Sequence, residues 1–161
     1  PGVEMTAVGY SGGTSVNPNY KEVCSSKTGH NEVVMIHYNP DLLTFETILR
    51  MFWEGHNPTQ GMRQGNDIGS QYRSGIYTYD GADYDTALRT ATEYGKSLKS
   101  FGFGEITTEI REAREFYYAE GYHQQYLASI SIVFHILSVT TDNLYILQKK
   151  YNQAQFYLKI S

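Results

Sequence analysis

The chain has 161 residues and a formal net charge of -4, which excludes the basic face that binding to nucleic acid or to an anionic membrane needs. Apolar residues make up 40% of it, enough for one domain with a single core and no disulfide or metal staples. No apolar run reaches the roughly 18 residues that a membrane helix requires.

Motifs for metal binding, disulfides and targeting are absent from the sequence. Cys24 is the single cysteine, so neither an intrachain disulfide nor a cysteine metal cluster is expected. The five histidines form no H-x-x-x-H pair, which disfavours a zinc site. No signal peptide precedes the first predicted strand, and because the chain opens at Pro1 we expect it to have lost its own beginning.

Strands and helices are both predicted along the chain. Apolar alternation and β-branched runs predict strands, and apolar residues at helical spacing predict a helix after Thr44, which can cap it, and a longer amphipathic helix. The strands are predicted at residues 3–10, 33–38, 74–79 and 106–110, and the helices at 45–52 and 83–100. This mixture predicts an α+β fold with a mixed sheet.

Two segments fit no clear element. Residues 54–73 lack periodicity and hold four glycines and a proline, and such long irregular segments within compact domains are more often functional than idle. From Ala128 onward the chain has neither glycine nor proline, and residues 130–139 are densely apolar. Two interpretations of this last part stay open, namely a C-terminal helix or strand and a foreign tail.

Four polar residues stand out by position, although each also has a structural explanation. Glu32 precedes the predicted strand at Val33, where burial would raise its pKa, yet spacing alone favours a solvated strand-end glutamate. Asp67 lies between two glycines, where an Asx turn is the better local interpretation. Tyr72 precedes another strand and Tyr20 follows a turn, and locally they fit a core aromatic and a surface aromatic.

Ordered blocks of the sequence resemble the A-type peptide methionine sulfoxide reductases. That family carries the runs G-Y/F-A-G-G, N-P-x-Y-x-x-V-C and T-G-H-x-E-x-V, which residues 9–13, 17–24 and 28–34 match. Further matching blocks follow at residues 52–61, 64–67, 71–74, 106–110 and 122–127. Because so many blocks keep the family's order and approximate spacing over residues 8–127, the resemblance is specific.

The resemblance implies a fold, a division of the chain and an activity. The fold is an α+β, two-layer mixed β-sheet with helices packed on it, a ferredoxin-like plait, over residues 1–127, with an atypical tail of unknown role at 128–161. The activity is that of a peptide-methionine (S)-S-oxide reductase, which reduces methionine-S-sulfoxide, protein-bound or free, and so repairs oxidised proteins. No cofactor is implied; the reductant is thioredoxin or dithiothreitol. A monomer in an intracellular compartment, cytoplasmic or mitochondrial, is expected, with neither nucleic acid nor membrane as a partner.

The resemblance also implies a role for each of the four polar residues. Glu32 matches the acid that hydrogen-bonds the sulfoxide oxygen and helps to protonate it. Tyr20 and Tyr72 match the tyrosines whose hydroxyls hold that oxygen, and Asp67 matches the aspartate that supports the same pocket and its water. A sulfoxide oxygen leaves poorly until it is protonated, so neutral acid and phenol donors lower the barrier where charge develops.

The family's nucleophile, a cysteine in a Gly-Cys-Phe-Trp motif, has no match among these residues. Cys24 matches a second, non-nucleophilic cysteine position and follows Glu22, and the resolving cysteines of many relatives have no match in the tail. Asn57 and Gly121 stand where the family usually has aspartate. We therefore expect an N-terminally truncated chain without turnover, and two alternatives stay open: a non-catalytic sulfoxide-binding pseudoenzyme and a non-functional truncated product.

Overall fold

The computed structural model describes residues 2–125 and the backbone of one further strand at 158–160. The strands are β1 (Val3–Ser11), β2 (Asn31–Tyr38), β3 (Arg63–Gln64), β4 (Asp67–Ile68), β5 (Gly75–Thr78), β6 (Glu109–Glu112), β7 (Tyr117–Tyr118) and β8 (Leu158–Ile160). The helices are α1 (Tyr20–Cys24), α2 (Phe45–Gly55) and α3 (Gly81–Ser100), with a 3-10 helix at Ser70–Tyr72.

One mixed sheet organises these elements. Its six strands lie in the order β6-β5-β8-β2-β1-β7, and β3 pairs with β4 in a separate hairpin. The strand β1 runs antiparallel to both β2 and β7, whereas β8 runs parallel to both β2 and β5, and β5 parallel to β6. The predicted α+β fold with a two-layer mixed sheet is therefore confirmed.

The main core lies between one face of the sheet and the helices α2 and α3. The buried side chains of α2 pack against Ile76 of β5 and Ala87 of α3; they are Phe45, Ile48, Leu49, Phe52 and Trp53. The indole Nε1 of Trp53 donates to Thr90 Oγ1 at 3.1 Å, so the two helices are also joined by a buried hydrogen bond. Among the described residues, no helix is long and apolar enough to cross a membrane.

Thr44 caps α2 as predicted, since its Oγ1 accepts a hydrogen bond from the Thr47 N–H at 3.2 Å. We expect Thr44→Ala to lower the free energy of unfolding by about 1 kcal/mol, because the backbone N–H of Thr47 in the first turn of α2 loses its hydrogen-bond acceptor. Urea denaturation measures the loss. Thr92→Ala, at an exposed position inside α3, is the control and should cost nothing. Equal losses in the two variants would contradict a capping role.

The free side of β1 is covered by glutamine side chains beyond the short strand β7. The amide of Gln124 accepts from the Val8 N–H at 3.0 Å and donates to the Val8 carbonyl at 2.8 Å. Gln125 Nε2 donates to the Thr6 carbonyl at 3.1 Å. Three backbone groups of β1 beyond the reach of β7 are therefore paired, namely the N–H and the carbonyl of Val8 and the carbonyl of Thr6.

Several predicted boundaries were wrong for identifiable reasons. The strand β2 begins at Asn31, so Glu32 lies inside the strand and not before it, and polar residues there hid the start. Residues 106–108 do not belong to β6, because Thr107 N–H instead donates to the Pro58 carbonyl at 2.8 Å. The helix α3 begins two residues early because Asp80 caps it. The apolar run at residues 130–139 lies outside the described residues.

Candidate active site

Glu32 is the acidic group at the centre of the site. It lies opposite Tyr10 in the pairing of β1 with β2, and its Oε1 is buried without a hydrogen-bond partner among the described residues. Burial, followed by the negative charges of Asp67 and Glu120, raises the pKa of Glu32 to about 7. A substantial fraction of this carboxyl therefore holds its proton near neutral pH.

The hairpin β3–β4 and the 3-10 helix bring Asp67 and Tyr72 to Glu32. Gly65 opens the two-residue turn of the hairpin with a φ of 57°, a conformation that favours glycine. Burial, then the charge of Glu32, and further the charges of Cys24 and Asp67 raise the pKa of Tyr72. Its hydroxyl is thus protonated at neutral pH and able to donate a hydrogen bond.

The short helix α1 supplies Tyr20 and Cys24. Asn19 and Glu22 form a capping box that fixes the start of the helix. A hydrogen bond with the Cys24 thiol, burial and the charges of Cys24, Tyr72 and Glu32 together raise the pKa of the Tyr20 hydroxyl. Tyr20 therefore is not the surface aromatic that its local sequence favours, but a half-buried member of the site.

Each of the four predicted residues interacts electrostatically with at least two of the others. Glu32 influences Tyr20 and Tyr72, and Asp67 influences Glu32 and Tyr72. Their chemical roles stay predictions. The arrangement offers a carboxyl that can be neutral, two phenol donors that it influences, and a buried carboxyl oxygen with no hydrogen-bond partner in the described part of the chain. Such a set suits a substrate whose oxygen is a strong hydrogen-bond acceptor and gains a proton during reaction.

The structure adds two residues to the site that sequence reasoning did not place there. Cys24 contacts the Tyr20 hydroxyl, although the sequence favoured a non-nucleophilic cysteine at this position. Glu120 binds Tyr10 and Tyr20 from a position about 100 residues along the chain. The four-residue spacing of Tyr20 and Cys24 on a helix could have suggested the first contact, whereas no local signal pointed to Glu120.

The side chain of Arg73 binds backbone carbonyls on two segments next to the site. Its guanidinium, only 8% exposed, donates to the Ser70 carbonyl at 2.7 Å and to the Gly29 carbonyl at 3.1 Å. It also pairs with the Glu109 carboxylate and donates to the Tyr77 hydroxyl at 3.3 Å. Because Ser70 opens the 3-10 helix and Gly29 leads into β2, this one side chain ties Tyr72 to Glu32.

Comparison with known proteins agrees with the motifs and the site. The family model described as peptide methionine sulfoxide reductase matches residues 1–155. Peptide methionine sulfoxide reductase MsrA 1 of Synechocystis is 59% identical over 128 residues, which is 80% of this chain and 58% of that protein. The mitochondrial peptide methionine sulfoxide reductase of Rattus norvegicus is 58% identical over 127 residues, covering 79% of this chain and 54% of that protein.

Solved structures give the same result. Methionine sulfoxide reductase A of Corynebacterium diphtheriae superposes with a TM-score of 0.76 at 43% identity, covering 80% of this chain and 64% of that one. The reduced form of Mxr1 from Saccharomyces cerevisiae gives a TM-score of 0.73 at 33% identity, with 80% and 72% covered. The chain belongs to the peptide methionine sulfoxide reductase family. It spans less than two thirds of the length of the curated relatives it matches.

Proposed function

We propose that this chain binds methionine-S-sulfoxide, in oxidised proteins or free, and supplies the acid and oxygen-holding groups of a peptide-methionine (S)-S-oxide reductase. The observation that carries the proposal is the buried Glu32 Oε1, which has no hydrogen-bond partner within residues 2–125, on a carboxyl whose pKa is raised to about 7. Membership of the family supports the same substrate.

In the proposed chemistry, Glu32 donates its proton to the sulfoxide oxygen while the hydroxyls of Tyr20 and Tyr72 donate hydrogen bonds to it. The negative charge of Asp67 favours the protonated form of Glu32 before the substrate enters. Protonation weakens the sulfur–oxygen bond, so that a thiol can attack the sulfur; in this family that thiol belongs to a cysteine that has no match among these 161 residues. That bond then breaks, the thiol takes the oxygen as a sulfenic acid, and methionine leaves as the reduced product.

The reductant and setting of this reaction are further parts of the proposal. Thioredoxin, or dithiothreitol in a purified system, returns the sulfenic acid or a derived disulfide to the thiol, and no cofactor takes part. The protein acts as a monomer in the cytoplasm or in mitochondria, and the mitochondrial reductase of the rat, a close sequence relative, supports the second compartment.

Binding of a peptide that carries methionine-S-sulfoxide tests the role of Glu32. At pH 6, where Glu32 is largely protonated, we expect saturable binding that Glu32→Ala weakens about 10-fold or more, since one buried hydrogen bond is lost. Calorimetric titration measures the affinity.

Two controls accompany this titration. Glu46→Ala removes an exposed carboxylate that pairs with Arg89 on the helical layer and should leave the affinity unchanged. The same peptide with unoxidised methionine should bind much more weakly. Undetectable binding of the sulfoxide peptide, or equal binding by the Glu32→Ala variant, would remove the proposed function.

Turnover separates an enzyme from a binding module. With dithiothreitol as the reductant, we expect the 161-residue chain to release no methionine above the buffer blank, because its one cysteine, Cys24, does not match the family's nucleophile. Chromatography of the peptide products measures the reaction. Clear turnover that disappears in Cys24→Ser would show that Cys24 serves as the nucleophile and would overturn this expectation.

A further inference from the structure

The carboxylate of Glu120 joins two elements that flank the candidate site. Its Oε2 accepts a hydrogen bond from the Tyr10 hydroxyl at 2.7 Å, and its Oε1 accepts one from the backbone N–H of Tyr20 at 2.8 Å. Tyr10 lies on β1 directly opposite Glu32, and Tyr20 is the first residue of α1. One side chain thus connects the strand beside the acid to the helix that carries a phenol donor.

Glu120 is ionised in this arrangement. Burial alone would raise its pKa, but the hydrogen bonds from Tyr20 and Tyr10 and the nearby His123 outweigh burial and lower it below the ordinary value. The ring of His123 also packs on that of Tyr20, with 4.8 Å between their centroids. The carboxylate is therefore a fixed negative charge held by donors on two elements.

Among the described residues, the titratable groups that interact electrostatically with Glu32 are phenols and acids from five parts of the chain. They are Tyr10 on β1, Tyr20 on α1, Asp67 on β4, Tyr72 on the 3-10 helix and Glu120 after β7. Of the two carboxylates, Asp67 has the larger influence on Glu32 and Glu120 the smaller. Glu120 also accepts hydrogen bonds from Tyr10 and Tyr20, and so holds two other members of the site.

We propose that Glu120 is a positioning residue of the site: it fixes the start of α1, and with it Tyr20, against β1, and it holds a negative charge beside Glu32. Its consequence for substrate rests on the proposed function. The placement itself can be tested without any substrate.

Hydrogen exchange tests the anchoring part. In the unchanged chain the Tyr20 amide is protected by Glu120, and in Glu120→Ala we expect it to exchange about 10-fold faster or more, as a lost hydrogen bond predicts. The Val23 amide, which donates to the Asn19 carbonyl at 3.0 Å, reports whether α1 still forms and should change little. Unchanged exchange at Tyr20 would overturn the anchoring role.

Titration of the Glu32 carboxyl by carbon NMR tests the charge part. The variant Glu120→Gln keeps the size of the side chain, so it can be measured even if Glu120→Ala unfolds. We expect Glu120→Gln to lower the pKa of Glu32. Glu115→Gln removes an exposed charge from the same segment and should leave that pKa unchanged. An equal pKa of Glu32 in the two glutamine variants would overturn the electrostatic role.

Sulfoxide binding then links the inference to function. At pH 7 we expect Glu120→Gln to bind the sulfoxide peptide about threefold more weakly than Glu115→Gln, because less of its Glu32 is protonated. If the NMR results hold but the unchanged chain binds no sulfoxide, the proposed function fails and the positioning role stands. If sulfoxide binds and both NMR results are negative, the positioning role fails alone.

Discussion

Replacing Arg73 by methionine should lower the free energy of unfolding by about 3 kcal/mol, because several buried acceptors lose the same charged hydrogen-bond donor at once. The guanidinium donates to two backbone carbonyls and the Tyr77 hydroxyl and pairs with Glu109. Glu109 keeps its second partner, Arg111, so its charge is not left wholly unpaired. Urea denaturation at pH 7 gives the difference.

Arg89 offers a matched control for Arg73. It also contacts two glutamates, Glu46 and Glu93, but its side chain is 47% exposed on the helical layer. Exposed ion pairs contribute little to stability, so Arg89→Met should lower the free energy of unfolding far less than Arg73→Met. Losses of similar size at the two positions would show that the buried arginine does not hold the site's backbone together.

The second large effect concerns Glu32, whose replacement by glutamine should stabilise the protein at alkaline pH. Folding raises the pKa of Glu32 from 4.5 to about 7. A pKa difference of one between the folded and unfolded states changes the free energy of unfolding by about 1.4 kcal/mol. Above pH 7 the glutamine variant should therefore unfold with a free energy about 3 kcal/mol higher than the unchanged chain. Denaturation at a series of pH values measures this difference.

The direction of this stability difference follows from the state, folded or unfolded, in which Glu32 loses its proton first. Below about pH 4.5 the carboxyl is protonated in both states and the two proteins differ little. Between pH 4.5 and about 7 the unfolded chain loses its proton first, so the stability of the unchanged chain falls as pH rises. Above about pH 7 the difference becomes constant. Glu46→Gln, at an exposed helical position, should show no such pH-dependent gain, and a pH-independent effect of Glu32→Gln would contradict a buried, proton-holding acid.

The fold was predictable where an element carries its own apolar periodicity. The helix α2 was predicted from Thr44 and its apolar face, and β5 from its β-branched and aromatic run. The start of β2 was not predictable in this way. Asn31 is a polar residue that is buried there because its side-chain amide donates to the Arg73 carbonyl at 2.9 Å, and a hydrophobic pattern does not show such a contact. The central place of β8 depends on pairing between residues far apart in the chain, which a local pattern cannot encode.

The site shows the same division between local and distant information. Glu32, Tyr20, Asp67 and Tyr72 were identified because they lie within motifs, although the local chemistry of each favoured an ordinary structural role. Their mutual influence arises only when β2, α1, the hairpin and the 3-10 helix converge. Glu120 belongs to the site through a hydrogen bond to Tyr20, which lies about 100 residues earlier in the chain, so its place could be found only from the structure.

The glutamines along β1 bear on how copies of this protein behave toward one another. An outer strand with free N–H and carbonyl groups is a template on which a strand of a second molecule can pair. Here β7 pairs only Gly9 and Tyr10, while Gln124 occupies both backbone groups of Val8 and Gln125 binds the carbonyl of Thr6. An incoming strand would have to displace these side chains before it could pair with Val8 or with the carbonyl of Thr6, so the two amide side chains disfavour intermolecular strand pairing at this part of β1.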